Sequence, residues 1–398
     1  MKIDRLRVRR LIGTLETDGP MWEDRLVRPI DIYPDYRRQP WAFAEQRPVD
    51  DKHLRLTQHF VEVVTDEGIV GTAGPIWPDA ARLTLTQLAP IILGKDPLAI
   101  ELLWDQMHRL QVHGRQGDAM IALSAIDCAL WDVKGQAFGQ PIWRILGGPT
   151  TQSMPTYASM LGYAVDDLGK VRERAKACKD EGYTAQKWFF RHGPMSGHEG
   201  LRKNVALVRT LRETLGEDHD IMLDCWQSMN LDYAVDLCGR LEEFRPRWLE
   251  EPFMPDRIDS HARLKAKTRI PLSGAEHEYT RWGFKRFIEK DALDILQPDI
   301  YWCGGLSETL KIAAYATVHD LITIPHGHST PIGIHFSAAQ SPIHTPYQEY
   351  LVKWNEINMF FLKHPLRPVA GAIPLPDAAG ANMALDPAKI EHEEDVHG

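Results

Sequence analysis

The sequence predicts an α/β protein: a modified TIM (β/α) barrel preceded by an α+β capping domain. The first indication is a series of strand-like apolar runs from about residue 154 onward, each followed by a helical pattern. The second is their regular spacing of roughly 25 residues between Ile221 and His328, about the length of one strand, one helix and two loops. The third is the beginning of the chain, which alternates like antiparallel strands and lacks this repeat.

Composition narrows the protein class. The 398 residues suffice for about two to three domains, or for one large barrel with an attachment. The formal net charge of −9 argues against nucleic acid or an anionic membrane as the main partner. No run of about eighteen apolar residues exists, and no signal-like apolar region follows the charged start MKIDRLRVRR. The five cysteines form no CxxC pair, which fits a reducing compartment, so we expect a cytoplasmic protein.

Residues 1–145 form the predicted capping domain. HFVEVVT, a DEG turn and IVGTAG predict a β-hairpin. A stretch rich in proline, arginine and aromatic residues precedes it, and we interpret residues 15–41 as an active-site lid loop, with packing on a neighbouring subunit as the alternative. Three helical patterns follow, the last of them DAMIALSAIDCALWDVKGQAFG.

The barrel domain is predicted over residues 146–355. Residues 356–398 are predicted to pack back on the capping domain as an irregular segment, and its end, EHEEDVHG, is predicted to be a solvated acidic terminus.

Three carboxylates follow successive strands of the predicted barrel: Asp224 in IMLDCW, Glu250 in RWLEEP and Glu276 in SGAEHE. The carboxyl ends of barrel strands meet on one face, where barrel active sites lie. One acidic residue in such a place is more often a solvated loop residue or helix cap. Three in register predict a site for a hard cation such as Mg²⁺.

A proton-transfer pair follows the next two strands. Asp299 ends ILQPD and His326 follows LITIP, so both side chains are expected on the same face. An aspartate that accepts the Nδ1 proton fixes the tautomer of the imidazole and raises its basicity. A lone histidine in this position is more often a structural residue. Its pairing with Asp299 beside the acidic strands favours a catalytic base.

These residues carry a family resemblance over essentially the whole chain. VEVVTDEGIVG, SAIDCALWDVKGQAFGQPIWRILGG, LDCW, LEEP, SGAEHE, QPD and CGGLSETLKIA resemble the mandelate racemase group of the enolase superfamily. That superfamily uses a lysine or histidine base with Mg²⁺. The resemblance implies that Asp224, Glu250 and Glu276 are the metal ligands and that Glu251 makes a structural hydrogen bond.

The second barrel strand separates activities within this group. Racemases there carry a KxK motif whose second lysine is a base on the opposite face of the substrate, whereas this chain has Lys187-Trp188-Phe189. With one base, the resemblance implies dehydration of a sugar acid to a 2-keto-3-deoxy acid. Lys187 is a candidate for binding the substrate carboxylate, and a lysine that extends from a strand end to solvent is the alternative.

Within the group, QPDIYWCGGLSE, IPHGHS, TPYQEY and LDCWQS resemble the rhamnonate dehydratases. The resemblance implies that His326 is the base and that His326 or His277 returns the proton to the leaving hydroxyl. It places Glu349 near the metal-bound carboxylate. It also assigns three further residues to the substrate pocket, with simple packing as the alternative for the first of them: Trp226, Gln227 and His328.

The predicted lid departs from the rhamnonate dehydratases, which have a histidine where this chain has Arg25. Tyr33, Arg37 and Arg38 are further candidates for binding hydroxyls or a second carboxylate, although a loop arginine is usually solvated. Substrate stereochemistry and chain length therefore stay open, as does the choice between mono- and diacid.

The sequence analysis predicts a Mg²⁺-dependent acid sugar dehydratase, a hydro-lyase. Its partners would be a small-molecule sugar acid and further copies of the chain in a homo-oligomer, without nucleic acid or membrane. The alternatives are a racemase, epimerase or cycloisomerase on the same scaffold, and a non-catalytic relative. The missing second lysine argues against the racemase, and the intact set of acidic residues and His326 argues against the non-catalytic relative.

Overall fold

The computed structural model describes residues 1–37 and 46–397. The last part of the predicted lid, including Arg38 and Trp41, lies outside these residues. No helix within the described ranges is both long and apolar enough to span a bilayer.

An antiparallel sheet forms the beginning of the chain. The predicted hairpin, formed by His53–Thr65 and Val70–Ile76, closes through a hydrogen bond from Thr65 N to Ile69 O (2.9 Å), as the DEG turn predicts. The inward face of the sheet is largely apolar because the long strands contribute buried side chains such as Val8, Leu11, Leu54, Leu56 and Phe60. Its strands are β1 (Ile3–Glu16), β2 (Gln46–Pro48), β3 (His53–Thr65) and β4 (Val70–Ile76).

Five α-helices cover that face. The longest, α4, is buried on almost every side, because it packs against the sheet on one side and the barrel on the other. A π-helical turn, Thr84–Leu88, separates the first two helices. The helices are α1 (Pro78–Leu83), α2 (Ala89–Ile92), α3 (Ile100–Leu110), α4 (Asp118–Ala137) and α5 (Ile142–Ile145).

Eight parallel strands form the curled barrel sheet, in the order β11-β10-β9-β8-β7-β6-β5-β12. Hydrogen bonds from Thr323 N to His344 O (2.8 Å) and from Thr345 Oγ1 to Thr323 O (2.9 Å) connect its two ends. The strands are β5 (Ser153–Ser159), β6 (Ala185–Phe189), β7 (Asp220–Asp224), β8 (Trp248–Glu250), β9 (Leu272–Gly274), β10 (Ile295–Leu296), β11 (Ile322–Thr323) and β12 (Gln348–Leu351).

Helices follow these strands along the outside of the barrel. They are α6 (Leu168–Asp180), α7 (Gly197–Leu215), α8 (Leu231–Leu241), α9 (Ile258–Lys265), α10 (Thr280–Glu289), α11 (Gly305–Thr317), α12 (Thr330–Ser337) and α13 (Val352–Asn358). Short 3-10 turns occupy Pro29–Ile32, Pro34–Tyr36, Pro194–Ser196, Glu242–Phe244, Gly327–Ser329 and Pro387–Lys389.

The end of the chain contains two more strands, β13 (Ala372–Pro374) and β14 (His392–Val396). β13 pairs with β5, and β14 pairs antiparallel with β1. The acidic terminus is therefore an exposed strand; its exposure agrees with the predicted solvated end, whereas the strand itself was not predicted. Its glutamates form ion pairs with arginines of β1: Glu394 lies directly opposite Arg10, and Glu393 forms a diagonal 2.7 Å ion pair with Arg9.

The described part of the lid is attached to the barrel rim. Backbone hydrogen bonds run from Glu23 N to Gly162 O and from Val27 N to Phe190 O, both 2.8 Å. Lys353 Nζ lies 3.2 Å from Glu23 Oε1. The lid is therefore connected to the ends of β5 and β6 and to α13.

Helix α4 joins the capping helices to the barrel at the start of α11. The Asp127 carboxylate accepts a hydrogen bond from Ser307 N (3.0 Å), and Trp131 Nε1 donates to Ser307 Oγ (2.9 Å). Gly305 has a φ of +83°, and a Cβ there would overlap the Asp127 carboxylate. This glycine permits the close approach of the two helices.

Candidate active site

Lys187 is the centre of a buried acidic cluster at the carboxyl ends of the strands. Its ammonium forms an ion pair with Glu250 and lies 2.8 Å from Glu349 Oε1 and 3.4 Å from Asp224 Oδ2. These three carboxylates raise the pKa of Lys187 well above its usual value even though burial opposes the charge. Lys187 is thus a buried cation. The alternative, a lysine that extends to solvent, is wrong.

The register of the sheet brings the predicted metal ligands to one height. Asp224 on β7 lies directly opposite Glu250 on β8, and Glu276 follows β9, the next strand. Burial, together with repulsion from neighbouring carboxylates, raises the pKa of all three acids. The Lys187 charge therefore offsets only part of the negative charge of the cluster.

Glu250 and Glu251 have different partners although they are adjacent in sequence. Glu250 Oε2 accepts hydrogen bonds from Trp248 Nε1 (3.0 Å) and Gln297 Nε2 (2.8 Å). Glu251 Oε2 accepts one from Gln227 Nε2 (3.0 Å). Glu250 therefore turns toward Lys187 and the barrel interior, and Glu251 turns toward the loop after β7.

A second set of possible metal donors includes Glu251. In the described ranges, one ligand atom from each of Glu251, Glu276 and His277 lies within 4.8 Å of the others. The structure thus brings Glu276 together with Glu251 and His277, and it brings Asp224 and Glu250 together with Lys187. The assignment of Asp224, Glu250 and Glu276 as a common ligand set stays a prediction.

Asp299 orients two histidines. Its Oδ2 lies 2.8 Å from His326 Nδ1 and 3.4 Å from His328 Nδ1. Burial would raise the pKa of Asp299, but these two imidazoles hold it below the usual value. The other ring nitrogen of His326, Nε2, is 3.5 Å from Glu276 Oε2 and points to the acidic cluster. An oriented imidazole beside the acidic cluster is suited to accept a proton there.

His277 lies on the other side of Glu276. Its Nδ1 is 3.0 Å from Glu251 Oε2 and 2.7 Å from Gln227 Nε2. Burial opposes protonation, but the Glu251 carboxylate raises the pKa of His277 overall. His277 is therefore placed to carry a proton opposite His326, and Gln227 contacts His277 and Glu251 instead of lining the cavity.

Glu349 is held from two sides. Its Oε2 accepts a hydrogen bond from Gly327 N (2.8 Å), and its Oε1 faces Lys187. Burial opposes ionisation, but the Lys187 charge and the His326 ring lower the pKa of Glu349. Gly327 leaves room for this contact, because a Cβ there would lie 2.8 Å from Glu349 Cγ.

Strained backbone accompanies the strand ends that carry the acids. Trp226 and Gln227 follow Asp224 with φ values of +40° and +65°, and Glu251 has a φ of +39°. Ala275, directly before Glu276, has a φ of +75°. Non-glycine residues rarely adopt such angles, and they cluster at functional sites where the surrounding structure enforces them.

A cavity of about 170 Å³ opens onto these groups. It includes seven of the predicted site residues: Lys187, Asp224, Trp226, Glu276, His277, His326 and His328. Glu250, Asp299 and Glu349 contact those residues without lining the cavity themselves.

Six cavity residues were not predicted from the sequence: Trp77, Leu161, Trp302, Leu351, Trp354 and Asn358. Trp302 lies between three imidazoles, with ring centroids 5.2 Å from His326 and His328 and 5.4 Å from His277. The position of Trp302, three residues after Asp299, could have indicated from the sequence that it lies near the site. The cavity residues of α13 could not be predicted, because a short helix after the last strand has no recognisable sequence motif.

Arg25 and Arg37 lie outside this cavity. Arg25 donates to Asp31 Oδ2 (2.6 Å) and to a backbone carbonyl, and Arg37 donates to Asp31 O (2.8 Å) and Ile32 O (3.1 Å). Both guanidinium groups therefore hold the lid together, and Tyr33 is 58% exposed. None of these three residues lines the cavity, so their role in substrate binding stays a prediction.

Family models match both parts of the chain. The model described as mandelate racemase / muconate lactonizing enzyme, N-terminal domain, matches residues 52–147. The model described as enolase C-terminal domain-like matches residues 170–389. Both matches agree with the capping sheet and the barrel, and they confirm the predicted fold class.

Several known proteins are similar over nearly the whole chain. An L-rhamnonate dehydratase from Saccharopolyspora erythraea is 32% identical over 379 residues, which cover 92% of this chain and 90% of that protein. A crystal structure of rhamnonate dehydratase from Gibberella zeae, complexed with Mg, is 29% identical with a TM-score of 0.81 and covers 98% of this chain and 95% of that one.

A third protein has a different activity on the same fold. It is the 3,6-anhydro-D-galactonate cycloisomerase from Zobellia galactanivorans, whose crystal structure has a TM-score of 0.79. It is 27% identical and covers 98% of this chain and 99% of that one.

Proposed function

Because the chain belongs to the mandelate racemase / muconate lactonizing enzyme family of the enolase superfamily, we propose that it is a Mg²⁺-dependent acid sugar dehydratase. The reaction removes the proton next to the carboxylate of a sugar acid and eliminates the β-hydroxyl as water, which leaves a 2-keto-3-deoxy acid. The observation that carries the proposal is the His326–Asp299 pair, 2.8 Å apart, beside a cluster of buried carboxylates.

The acidic cluster fits a divalent cation. Its donors are hard carboxylate oxygens, which Mg²⁺ prefers. Burial and mutual repulsion raise the pKa of Asp224, Glu250 and Glu276, so a positive charge among them would stabilise their ionised forms. We assign these three as the residues that would hold the ion. When bound, Mg²⁺ would stabilise the negative charge that develops on the substrate carboxylate.

His326 is the proposed base. Its Nδ1 faces Asp299, so Nε2 is the nitrogen free to accept the substrate proton, and the ionised Asp299 stabilises the imidazolium that forms. Positioned acid–base catalysis of this kind contributes about 10²- to 10⁴-fold. The β-hydroxyl then takes up a proton, either from His326 or from His277 across the cavity, and leaves as water.

Lys187 and Glu349 would position the carboxylate end of the substrate. Lys187 is held as a cation beside the acidic cluster and lines the cavity. Glu349 keeps this ammonium charged and fixes its position. A second base on β6 is missing, because strand alternation puts Phe189 on the same face as Lys187. This supports a reaction with one base and argues against racemisation.

The substrate class is a monocarboxylate aldonic acid, of which rhamnonate is one member. Among the described residues lining the cavity, Lys187 is the one lysine or arginine. Arg25 and Arg37 are engaged inside the lid. The described residues would thus leave a second substrate carboxylate in the cavity without a guanidinium or ammonium partner, which is strongly unfavourable.

A substrate screen tests the proposal. The purified protein with Mg²⁺ is incubated with a library of mono- and diacid sugars, and 2-keto-3-deoxy products are detected with a carbonyl reagent. We expect product from one or more aldonic acids, loss of product on chelation of the metal, and no product from diacids. Exchange of the α-proton without dehydration would instead favour the cycloisomerase or epimerase alternative. The absence of both exchange and product would refute the proposal.

A further inference from the structure

Asn358 is an unassigned polar residue of the cavity. It is the last residue of α13, and the residue is 6% exposed. It lines the same cavity as Lys187 and His326. Its amide nitrogen, Nδ2, is buried and has no hydrogen-bond partner among the described residues. A buried donor without an acceptor is costly, so such groups in native proteins usually have a reason.

The surroundings of Asn358 in the cavity are apolar. Leu161 follows β5, Leu351 ends β12, and Trp354 lies one turn earlier on α13. We call these three residues the apolar wall. β12 and β5 are neighbours at one end of the strand order, whereas Asp224 and Glu250 end β7 and β8 and Glu276 follows β9. In a curled sheet of eight strands the apolar wall therefore faces these three acids across the cavity.

A neighbouring asparagine on α13 gives a direct comparison. Asn355 Nδ2 donates to Thr330 Oγ1 (3.1 Å), and this hydroxyl in turn donates to Gly327 O (2.7 Å). Asn355 therefore attaches α13 to the segment after His326, and it does not line the cavity. Asn358 has no such bond and does line it, so a structural role like that of Asn355 does not explain it.

The apolar wall is held rigidly. Trp22 of the lid packs on Trp354 with ring centroids 4.9 Å apart, and Lys353 Nζ donates to Gly162 O (3.2 Å). The position of the Asn358 amide is thus set by the contacts of α13 with the lid and with the segment after β5. A donor fixed in this way can discriminate between acceptors by position.

We propose that Asn358 is a specificity-determining residue that donates from Nδ2 to one hydroxyl of the sugar acid. This rests on the proposed function, which puts the substrate carboxylate at Lys187 and the acidic cluster. The rest of the chain then extends to the apolar wall, where the Asn358 amide offers a neutral donor to a hydroxyl. A hydroxyl of the opposite configuration at that carbon would face leucine and tryptophan and lose its hydrogen bonds to water.

Binding calorimetry with a deoxy series tests this assignment. The holoenzyme with Mg²⁺ is titrated with a sugar acid and with its analogues that each lack one hydroxyl. We expect Asn358→Leu to weaken binding of the parent acid about tenfold. For the analogue without the recognised hydroxyl, the wild type and Asn358→Leu should have the same Kd. Asn355→Leu is the matched control, which should lower the Tm but leave the ranking of the analogues unchanged.

Other outcomes refute the assignment. An equal loss of affinity for every analogue in Asn358→Leu would reveal general damage to the cavity, and unchanged affinity for the parent acid would rule out the hydrogen bond. Asn358→Ala serves as the second variant if Asn358→Leu does not fold, with the same expected pattern. Binding by no acid of the series also overturns it. Because the readout is binding, failure of dehydration alone refutes the proposed function and leaves the Asn358 assignment standing.

Discussion

His326 Nδ1 lies 2.8 Å from Asp299 Oδ2, and this contact joins the ends of two neighbouring strands, β10 and β11. Because Asp299 is fully buried and ionised, it fixes the ring so that Nε2 faces the acidic cluster. The pair is the structural basis of the proposed proton abstraction.

Replacement of the base should stop the reaction without unfolding the protein. We expect His326→Asn to lower kcat for dehydration by about 10²- to 10⁴-fold and to leave Mg²⁺ binding intact, because His326 is not assigned to the metal. Product formation and metal titration measure the two effects. His319→Asn, an exposed surface change, is the control. Turnover retained in His326→Asn would remove this histidine as the base.

Substitution of the two adjacent glutamates distinguishes the two possible sets of metal ligands, one with Glu250 and one with Glu251. Glu250→Gln should weaken Mg²⁺ binding far more than Glu251→Gln, because Glu250 lies opposite Asp224 and Glu251 is hydrogen-bonded to Gln227. Calorimetric titration with Mg²⁺ compares them. Equal effects would contradict the assigned ligands, and a larger effect of Glu251→Gln would favour the set of Glu251, Glu276 and His277.

Loss of the buried ammonium should destabilise the metal-free protein. Lys187→Met leaves three carboxylates without their cation, and we expect a loss of about 3–5 kcal/mol in the free energy of unfolding. The loss should be smaller at pH 5 than at pH 8, because burial raises the pKa of Glu250 to about 8, so at pH 5 this carboxyl is protonated and needs no cation. Lys203→Met is a partly exposed control. Urea unfolding at both pH values, with and without Mg²⁺, measures the effect, and a loss that does not depend on pH would argue against the charge explanation.

A histidine far from the site should make stability depend on pH. Burial lowers the pKa of His335 from 6.5 to about 4, and its Nδ1 accepts a hydrogen bond from Trp143 N. The unfolded chain therefore binds a proton more readily than the folded one, and stability should fall as the pH is lowered from 6.5 to 4.

Comparison with a variant isolates this contribution. His335→Gln keeps an acceptor for Trp143 N but cannot be protonated. The wild type should lose about 3 kcal/mol more than His335→Gln between pH 7 and pH 4. Denaturant unfolding across this range measures the difference, and parallel stability curves would show that His335 is not buried in its neutral form.

The close contact between α4 and the start of α11 depends on the backbone conformation of Gly305. Gly305→Ala should cost about 2–4 kcal/mol, because its φ of +83° is unfavourable for alanine and the new Cβ would overlap the Asp127 carboxylate. Gly239→Ala on the exposed side of α8 is the matched control, since its Cβ would meet no atom within 4 Å, and it should stabilise by about 0.5–1 kcal/mol. Thermal unfolding distinguishes them, and equal effects would show that the contact with Asp127 does not matter.

The order of strands and helices was predictable from the sequence, because each element carries a local signal. Apolar runs of strand length and helical periodicity identified the barrel repeat, and DEG between two alternating runs identified the β3–β4 hairpin. The strand β14 was not predicted. Its residues are acidic and exposed, and pairing with β1 depends on arginines located almost the whole chain away.

The candidate site was also predictable only in part from the sequence. The acids and His326 could be named from the sequence because parallel strands deliver their carboxyl ends to one face, wherever the strands stand in the barrel. Contacts between side chains could not be named, because they depend on rotamers and on the packing of elements distant in sequence. The partners of Glu250 and Glu251 are of this kind, as is the use of Arg25 and Arg37 inside the lid.

The sequence by itself determined the fold class, the strands that bear acidic residues and the pairing of Asp299 with His326, since these depend on local pattern and on the repeat. Only the tertiary structure decided that Lys187 is a buried cation among three carboxylates and that Asn358 and Trp302 line the cavity. Those relations arise where the barrel closes and the lid meets α13, and no local pattern of residues encodes a distance between elements that meet only in the folded chain.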